Sequence, residues 1–404
     1  MTVHRWQLVA GNPRSYPEVL LSTARDVRVV WRLSEPSELS FSLNGRHDQA
    51  GYVTELATDV HLLCDGVPLY TGRVGASRDE IVDDVHTVSY ETADTRALLG
   101  RRAWHGNKTW VHGEQADILR DLVAHTQSQP GGDLSIVTTG LPVTGAIVPG
   151  RIIEPRVVIL DEIQALANAG PGTPAGTPGF EWDVAPGWVN RQLQLWYPRR
   201  GANRGVVLDY TYVADRPRSS IVSNISRQLD PATYANATHT TGGSYSYTVQ
   251  MTVTDEETGD PTTQLVEVTV PTVPESRAAA DIASRPEGLW ESTLSYPDIQ
   301  RQPELAARAD RDLVEMQTLV PSYAVTLRRN AWDGPDHVWL GDTVRLIVRS
   351  GRVDEDVSVR VQEVALSLGP DGEEDVTLTL GTPAGSLLAD LRRMERRVAL
   401  TERR

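Results

Sequence analysis

Two stretches of this chain follow one plan, and that repetition constrains the fold more than any other feature. Thr58–Asp94 reads TDVHLLCDGVPLYTGRVGASRDEIVDDVHTVSYETAD, and Leu340–Gly381 reads LGDTVRLIVRSGRVDEDVSVRVQEVALSLGPDGEEDVTLTLG. Asp59-Val60-His61-Leu62-Leu63 stands against Thr343-Val344-Arg345-Leu346-Ile347, and each run then meets a glycine turn, at Gly66 and Gly351. A second strand follows, then an acidic turn, a third strand and a leucine pair, Leu98-Leu99 in one copy and Leu387-Leu388 in the other. Alternating apolar positions separated by turn residues specify antiparallel strands. Any two meanders share some of this; the common order, turn chemistry and closing leucines favour a true repeat. A chain with two similar β-barrels can build a ring of six like units from three copies, since oligomers usually close cyclically.

The text between the copies has another period. In Gly113–Gln127, Ile118, Leu119, Leu122 and Val123 fall on one helical face, and a second helix is expected from about Pro155 to Asn168, with Ile159, Ile163 and Leu166 inward and Gly170 beyond its end. The Gly/Pro loop GPGTPAGTPG follows, then FEWDV and QLQLWYP as strands. From Ser223 the β pattern resumes, with a hairpin over Tyr245–Val270. A short helix is expected around Glu275–Arg285 and a longer one over Pro303–Leu319, with Leu305, Ala309, Leu313 and Met316 on one face and Pro321 as its stop. The fold class is thus mainly β with an α/β insert. Residues 1–105 form a first small antiparallel β-barrel, 106–215 the α/β insert, 216–230 with 322–385 a second barrel, 231–321 a hairpin arm plus helices, and 386–404 a C-terminal helix.

In that last helix Leu387, Leu391, Met394 and Val398 are spaced 4, 3 and 4, the pattern of a coiled-coil seam. It reads either as a self-associating subunit interface or as a helix packed on its own or a neighbouring domain. Six arginines there face three acids, whereas the whole chain carries a formal net charge of -15. A balance that acidic argues against specific nucleic-acid binding, which needs Lys and Arg to neutralise phosphates. Lys108 is the only lysine among 39 basic residues, which points to a high-GC genome and away from phosphate recognition as the reason for so much arginine. No run approaches the roughly 20 apolar residues that span a bilayer, so no membrane partner is expected. The N-terminus lacks a secretory pattern, so the chain is expected to be made and held in the cytoplasm. Cys64 is the single cysteine, which excludes an intrachain disulfide and a multi-thiolate metal site.

Motifs for a metalloprotease, a serine hydrolase and a phosphate loop are absent. His105 and His112, with Trp104, Trp110 and Glu114, form the one aromatic and histidine-rich cluster; it reads as a metal site, a sugar-stacking surface or a packed loop, and the spacing favours the loop. The pairs Asp83-Asp84 and Glu373-Glu374 suit glycoside hydrolysis by residue type, but both are expected at hairpin turns where water keeps carboxylates ordinary. No catalytic, cofactor-binding or metal residue is assigned, and the chain is read as a non-enzyme.

The order of parts, together with DVHLLCDGVPLYTGRV, ADILRDLV, LDEIQALANA, FEWDV, ELAARADRDL and LGDTVRLIV, resembles the tail hub (baseplate hub, minor tail) proteins of long-tailed, siphovirus-like bacteriophages. The likeness covers nearly the whole chain and lies in architecture and short phrases. It implies a homotrimer whose paired barrels form a pseudo-sixfold torus at the virion tail tip, joining a sixfold tail to a threefold tip and gating passage of the tape measure and DNA. It implies as partners further copies of the chain, the distal tail ring protein, the tape-measure protein and a central spike or fibre. The high-GC composition fits an actinobacterial host. A receptor- or carbohydrate-binding tail module is the alternative, favoured by ten tryptophans, and a cell-wall hydrolase is the third.

Overall fold

A computed structural model describes residues 4–167, 179–213, 216–218, 221–229, 231, 234–254, 261–296, 302–317, 321–369 and 372–381. The chain divides into two units, the smaller built from Asp230–Val320 and the larger from residues on either side. In the larger unit β1 (Trp6–Gly11), β2 (Val19–Leu20), β3 (Arg25–Arg32), β4 (Glu38–Asn44), β5 (Asp59–Cys64), β6 (Val67–Val82) and β7 (Val85–Asp94) precede a short helix, α1 (Thr95–Leu99). The insert follows as β8 (Lys108–Glu114), α2 (Gln115–Ser128), β9 (Ile136–Val137), β10 (Ile147–Ile153), α3 (Ile159–Ala167), β11 (Glu181–Ala185) and β12 (Arg191–Trp196). Then come β13 (Asn203–Val213), β14 (Arg216–Arg218) and β15 (Val222–Gln228). The smaller unit holds β16 (Ala237–Gly242), β17 (Ser244–Thr254), β18 (Pro261–Pro271), β19 (Glu275–Ala278), β20 (Glu291–Tyr296) and α4 (Gln302–Met316). The chain closes its described part in the larger unit with β21 (Ser322–Leu327), β22 (Thr343–Ser350), β23 (Val353–Leu368) and β24 (Glu374–Leu380). The fold is mainly β.

Fourteen strands of the larger unit form one sheet, antiparallel except where β13 runs parallel to β22. Its ladders contain two six-strand paths of the same order, β3-β4-β7-β6-β5-β1 and β15-β21-β24-β23-β22-β13. The middle strand of each, β6 or β23, is 16 residues long and serves two ladders in turn. Its first half pairs with β5 or β22, a register shift follows at Gly75 or Gln362, and its second half pairs with β7 or β24. A bulge bends a strand, which lets one strand turn from one ladder into the next. The registers set Asp59 opposite Arg73 and Thr343 opposite Arg360, the alignment the two sequence runs display. Core positions coincide as well: Val60 with Val344, Leu62 with Leu346 and Val74 with Val361 are all at most 1% exposed.

The two halves are joined by β3, which pairs with the second half of β23 from Arg32 opposite Glu363 to Val27 opposite Leu368. One apolar core runs through both halves across that ladder, with Val29 and Leu366 fully buried. Among the described residues the ladders form an open path and no closed barrel.

The insert has its own core, walled by α2, α3, the β8–β10 pair and the three-stranded sheet β11-β12-β9. Ile118, Leu119, Leu122 and Val123 of α2, and Ile159, Ile163 and Leu166 of α3, are fully buried, on the faces their spacing predicts. Helix α3 begins at Ile159 and not near Pro155, because the preceding residues are committed elsewhere: Arg156 has φ 73°, the Trp104 N–H donates to Val157 O at 2.8 Å, and Val158 bridges Ala103. Asn203–Val213, read with the insert from sequence, is the β13 strand of the large sheet.

In the smaller unit β17 and β18 form the expected hairpin, from Ser244 opposite Pro271 to Thr254 opposite Pro261. The helix expected over Glu275–Arg285 is absent. Glu275–Ala278 instead pairs with β16, and only Ile282–Ser284 turns, as a 3-10 helix. Backbone pairing with a neighbouring strand overrides a weak local preference. Helix α4 packs on β16 and β19 with Leu305 and Ala309 buried.

Candidate assembly surface

Each half meets the insert beside an arginine at the same place in the repeat, two residues before the register shift of its middle strand. In the first half Arg73 Nε donates to Asp59 Oδ1 at 2.8 Å, and Arg191 from the start of β12 donates to the other oxygen of Asp59. Asp59 and Arg191 are both 2% exposed, and Arg191 also donates to Leu134 O at 3.2 Å. In the second half the strand opposite offers Thr343, which carries no charge, so Arg360 reaches outward. It grips both carboxylate oxygens of Glu181 at the start of β11 and donates to Gly341 O at 2.8 Å and Arg200 O at 2.6 Å. Gly201 and Gly341 make that approach possible: both have positive φ, and a Cβ on Gly201 would lie 2.2 Å from the Gly341 carbonyl carbon.

A second network runs beside the first. Asp94 caps α1 by accepting from Arg96 N at 3.0 Å and Ala97 N at 3.2 Å, and it also accepts from Arg96 Nε at 2.8 Å. Arg96 NH1 lies 3.4 Å from Asp183, which accepts from Arg200 at 2.8 Å. Burial pushes the Asp94 carboxyl above its ordinary range, with Arg96 pulling it back. His61 is 1% exposed, stands 4.9 Å from the Trp188 ring, and has its pKa lowered to about 4, chiefly by burial, with Asp59 opposing and Arg191 assisting.

The repeat also shows where each half is uncovered. In the second half the outer segment of β23 lies between β24 and β3. Its counterpart in the first half, Ala76–Val82 of β6, has β7 on one side, and among the described residues no backbone hydrogen bond on the other. The counterpart of β3 is β15, which among the described residues pairs with β21 alone. Val29 and Trp31, buried in β3, correspond by register to Arg227 and to Leu229, which is 41% exposed. Ile81, at the outer end of β6, is 66% exposed. Unpaired strand edges are templates for pairing with another chain.

The residues singled out from sequence are scattered. Leu387, Leu391, Met394 and Val398 lie outside the described residues. Trp104 is buried and stacks on His125 at 3.9 Å, Trp110 donates to Asp121 at 2.9 Å, and Glu114 caps α2 by accepting from Ala116 N at 2.7 Å. His105 and His112 are exposed beside this packed cluster. Asp83 and Asp84 form a positive-φ turn in water, as expected. Glu374 departs from expectation: it is 3% exposed, accepts from Trp6 Nε1 at 2.8 Å, and burial raises its pKa. Its partner is far off in the chain, so no local signal could have marked it.

No family model matches the chain, and no curated protein matches it in sequence. Solved structures do match over nearly its full length. It resembles a tail protein of Neisseria meningitidis at 12% identity and a TM-score of 0.59, covering 94% of this chain and 97% of that one. It resembles the 43 kDa tail protein of prophage MuSo2 of Shewanella oneidensis at 10% identity and 0.58, covering 93% and 98%. A third likeness, at 11% and 0.54 and covering 96% and 99%, is to the prophage tail protein gp18 of Listeria monocytogenes. An arrangement of two like halves around an insert, matched end to end by these three, gives this chain the fold of phage tail proteins.

Proposed function

We propose that the chain is a structural virion protein, a homotrimeric hub at the tail tip that joins a sixfold tail to a threefold tip. The observation that carries this reading is the ladder between β3 and β23. It joins first half to second half head to tail, and its counterparts, β15 and the outer half of β6, are unpaired edges among the described residues. Repeating the same ladder between copies sets β15 of one chain on β6 of the next, and three copies then close a ring of six halves. Carrying over the register of β3 and β23, Ile225 faces Ile81 and Arg227 faces Asp79 across that contact.

In this reading each six-strand half is one hub domain, with the sequence boundaries at 105, 230, 321 and 385 separating the parts and the end of the insert moved from 215 to just before β13, and each half closes as a barrel in the ring. Partners are the distal tail ring, the tape-measure protein and a spike or fibre. The formal charge of -15 favours an acidic lumen that repels DNA and eases its passage. The seam Leu387, Leu391, Met394 and Val398 gives the trimer a second contact. The test is solution mass by light scattering. Wild type is expected near three times 44.4 kDa. Ile81→Asp and Ile225→Asp should each give a monomer with unchanged circular dichroism, and Ile81→Asp with Ile225→Lys should restore the trimer. Truncation after Gly385 reports on the seam separately. A monomeric wild type at all concentrations, or a trimer indifferent to both aspartates, overturns the proposed contact.

A further inference from the structure

The lead-in to β1, the turn after β5 and the start of β24 bring four metal-binding side chains to one place. His4 Nδ1 is 3.0 Å from Asp65 Oδ2, and Cys64 Sγ is 3.8 Å from the same oxygen. One donor atom from each of His4, Cys64 and Asp65 lies within 4.8 Å of the others. Glu374 is within electrostatic reach of His4, Cys64 and Asp65. We propose that His4, Cys64, Asp65 and Glu374 form a binding site for one divalent transition-metal ion, zinc by the chemistry of its donors.

Three independent features converge on this site. The first is spacing. Zinc bound tetrahedrally at about 2.0–2.3 Å from nitrogen, oxygen and sulfur holds its ligand atoms roughly 3.3–3.8 Å apart, so the donors of His4, Cys64 and Asp65 need shift by no more than about 1 Å. The second is an orphan atom. Glu374 is 3% exposed and its Oε2 has no hydrogen-bond partner. A buried polar atom left unpaired costs about 1–3 kcal/mol, and a cation offers it a partner. The third is donor chemistry. A thiol and carboxyl groups meet here with one imidazole, and a dication takes the cysteine as its thiolate, releasing one proton to solvent as the metal–sulfur bond forms.

Neighbouring groups already orient the donors. Arg5 N donates to Asp65 Oδ1 at 2.9 Å, and Trp6 Nε1 holds Glu374 Oε1. The rings of Trp6 and Trp332, each 6.4 Å from the imidazole of His4, pack against it. One thiolate with an imidazole and carboxylates suits zinc and disfavours calcium and magnesium, which take oxygen ligands. The bound ion would clip the β5–β6 turn of the first half to β24 of the second.

The test uses the purified full-length chain, reduced and stripped by chelator, titrated with cobalt(II) as a spectroscopic stand-in and then with zinc. The expected result is one cobalt per chain with a thiolate-to-cobalt charge-transfer band that zinc abolishes. Cys64→Ser should remove the band. Asp65→Asn, on an exposed residue and still able to accept from Arg5, and His4→Asn should weaken binding by about 10- to 100-fold or more. Glu373→Gln, next to the site and outside it, should bind as wild type. Absence of the band in wild type, or unchanged titrations for both Asp65→Asn and His4→Asn, overturns the proposal.

Discussion

The two halves of the large sheet share a backbone plan and differ in where they keep their charges. In the first half the arginine before the bulge finds its anion within its own hairpin, as Arg73 on Asp59, and the insert contributes a cation, Arg191. In the second half the hairpin holds Thr343 instead, and Arg360 takes its anion, Glu181, from the insert. One duplicated frame thus grips the two strands of the β11–β12 hairpin with charges of opposite sense. The apolar pattern sets the frame, and the polar residues decide what each copy holds.

Substitutions at matched positions can break or sharpen this comparison. The largest contrast is expected at Asp59 and Thr343. Asp59→Ala strands Arg191 and Arg73 and should cost about 3–5 kcal/mol in urea unfolding, whereas Thr343→Ala should cost about 1 kcal/mol or less. Near-equal losses would show that the difference in charge placement carries no energy. Leu62→Ala and Leu346→Ala, in contrast, should each cost about 2–5 kcal/mol by the same measurement and agree with one another, because both side chains are fully buried in one core.

A pH series separates the halves next. His61 has a folded pKa of about 4 against an ordinary value near 6.5, so its contribution is complete above about pH 6.5 and is lost as pH falls toward 4. The loss should reach roughly 3 kcal/mol near pH 4, and His61→Asn should flatten that part of the profile. Its counterpart, Arg345, stays charged throughout this range and should leave the profile unchanged when replaced by Gln. The smallest effect is expected at the second grip. Arg360→Met should cost about 1.5–3 kcal/mol, since its partner Glu181 is part-exposed and retains some water. A loss as large as that of Asp59→Ala would make the two grips equivalent after all.

The meander repeat was legible in the chain because alternation, Asp65-Gly66 and Gly351 report strand and turn locally. Its extension to β3 with β15 and β4 with β21 was not, since Val27–Arg32 and Ile225–Gln228 share no apolar rhythm once one is buried and the other lies at an edge. Both insert helices announced themselves through faces such as Ile118, Leu122 and Ile163. Glu275–Ala278 misled because a strand pairing made elsewhere in the chain decides its state. Glu374 misled for the same reason: water was expected around it, and Trp6 took that place. Local spacing speaks for periodic elements, and contacts between distant segments are written only in three dimensions.

The ladder that joins the halves has a consequence for the order in which the molecule can be made. Arg32 and its ion-pair partner Glu363 are separated by 331 positions. At a synthesis rate of about 5–20 residues per second, roughly 20–70 s pass between the appearance of the two. Throughout that interval the first half must stand with one side of β3 unpaired and Trp31 without its partners Trp332 and Trp339. Completion of the shared core therefore waits on β23, late among the described strands, and a nascent chain stays distinguishable from one that has made β23 until then.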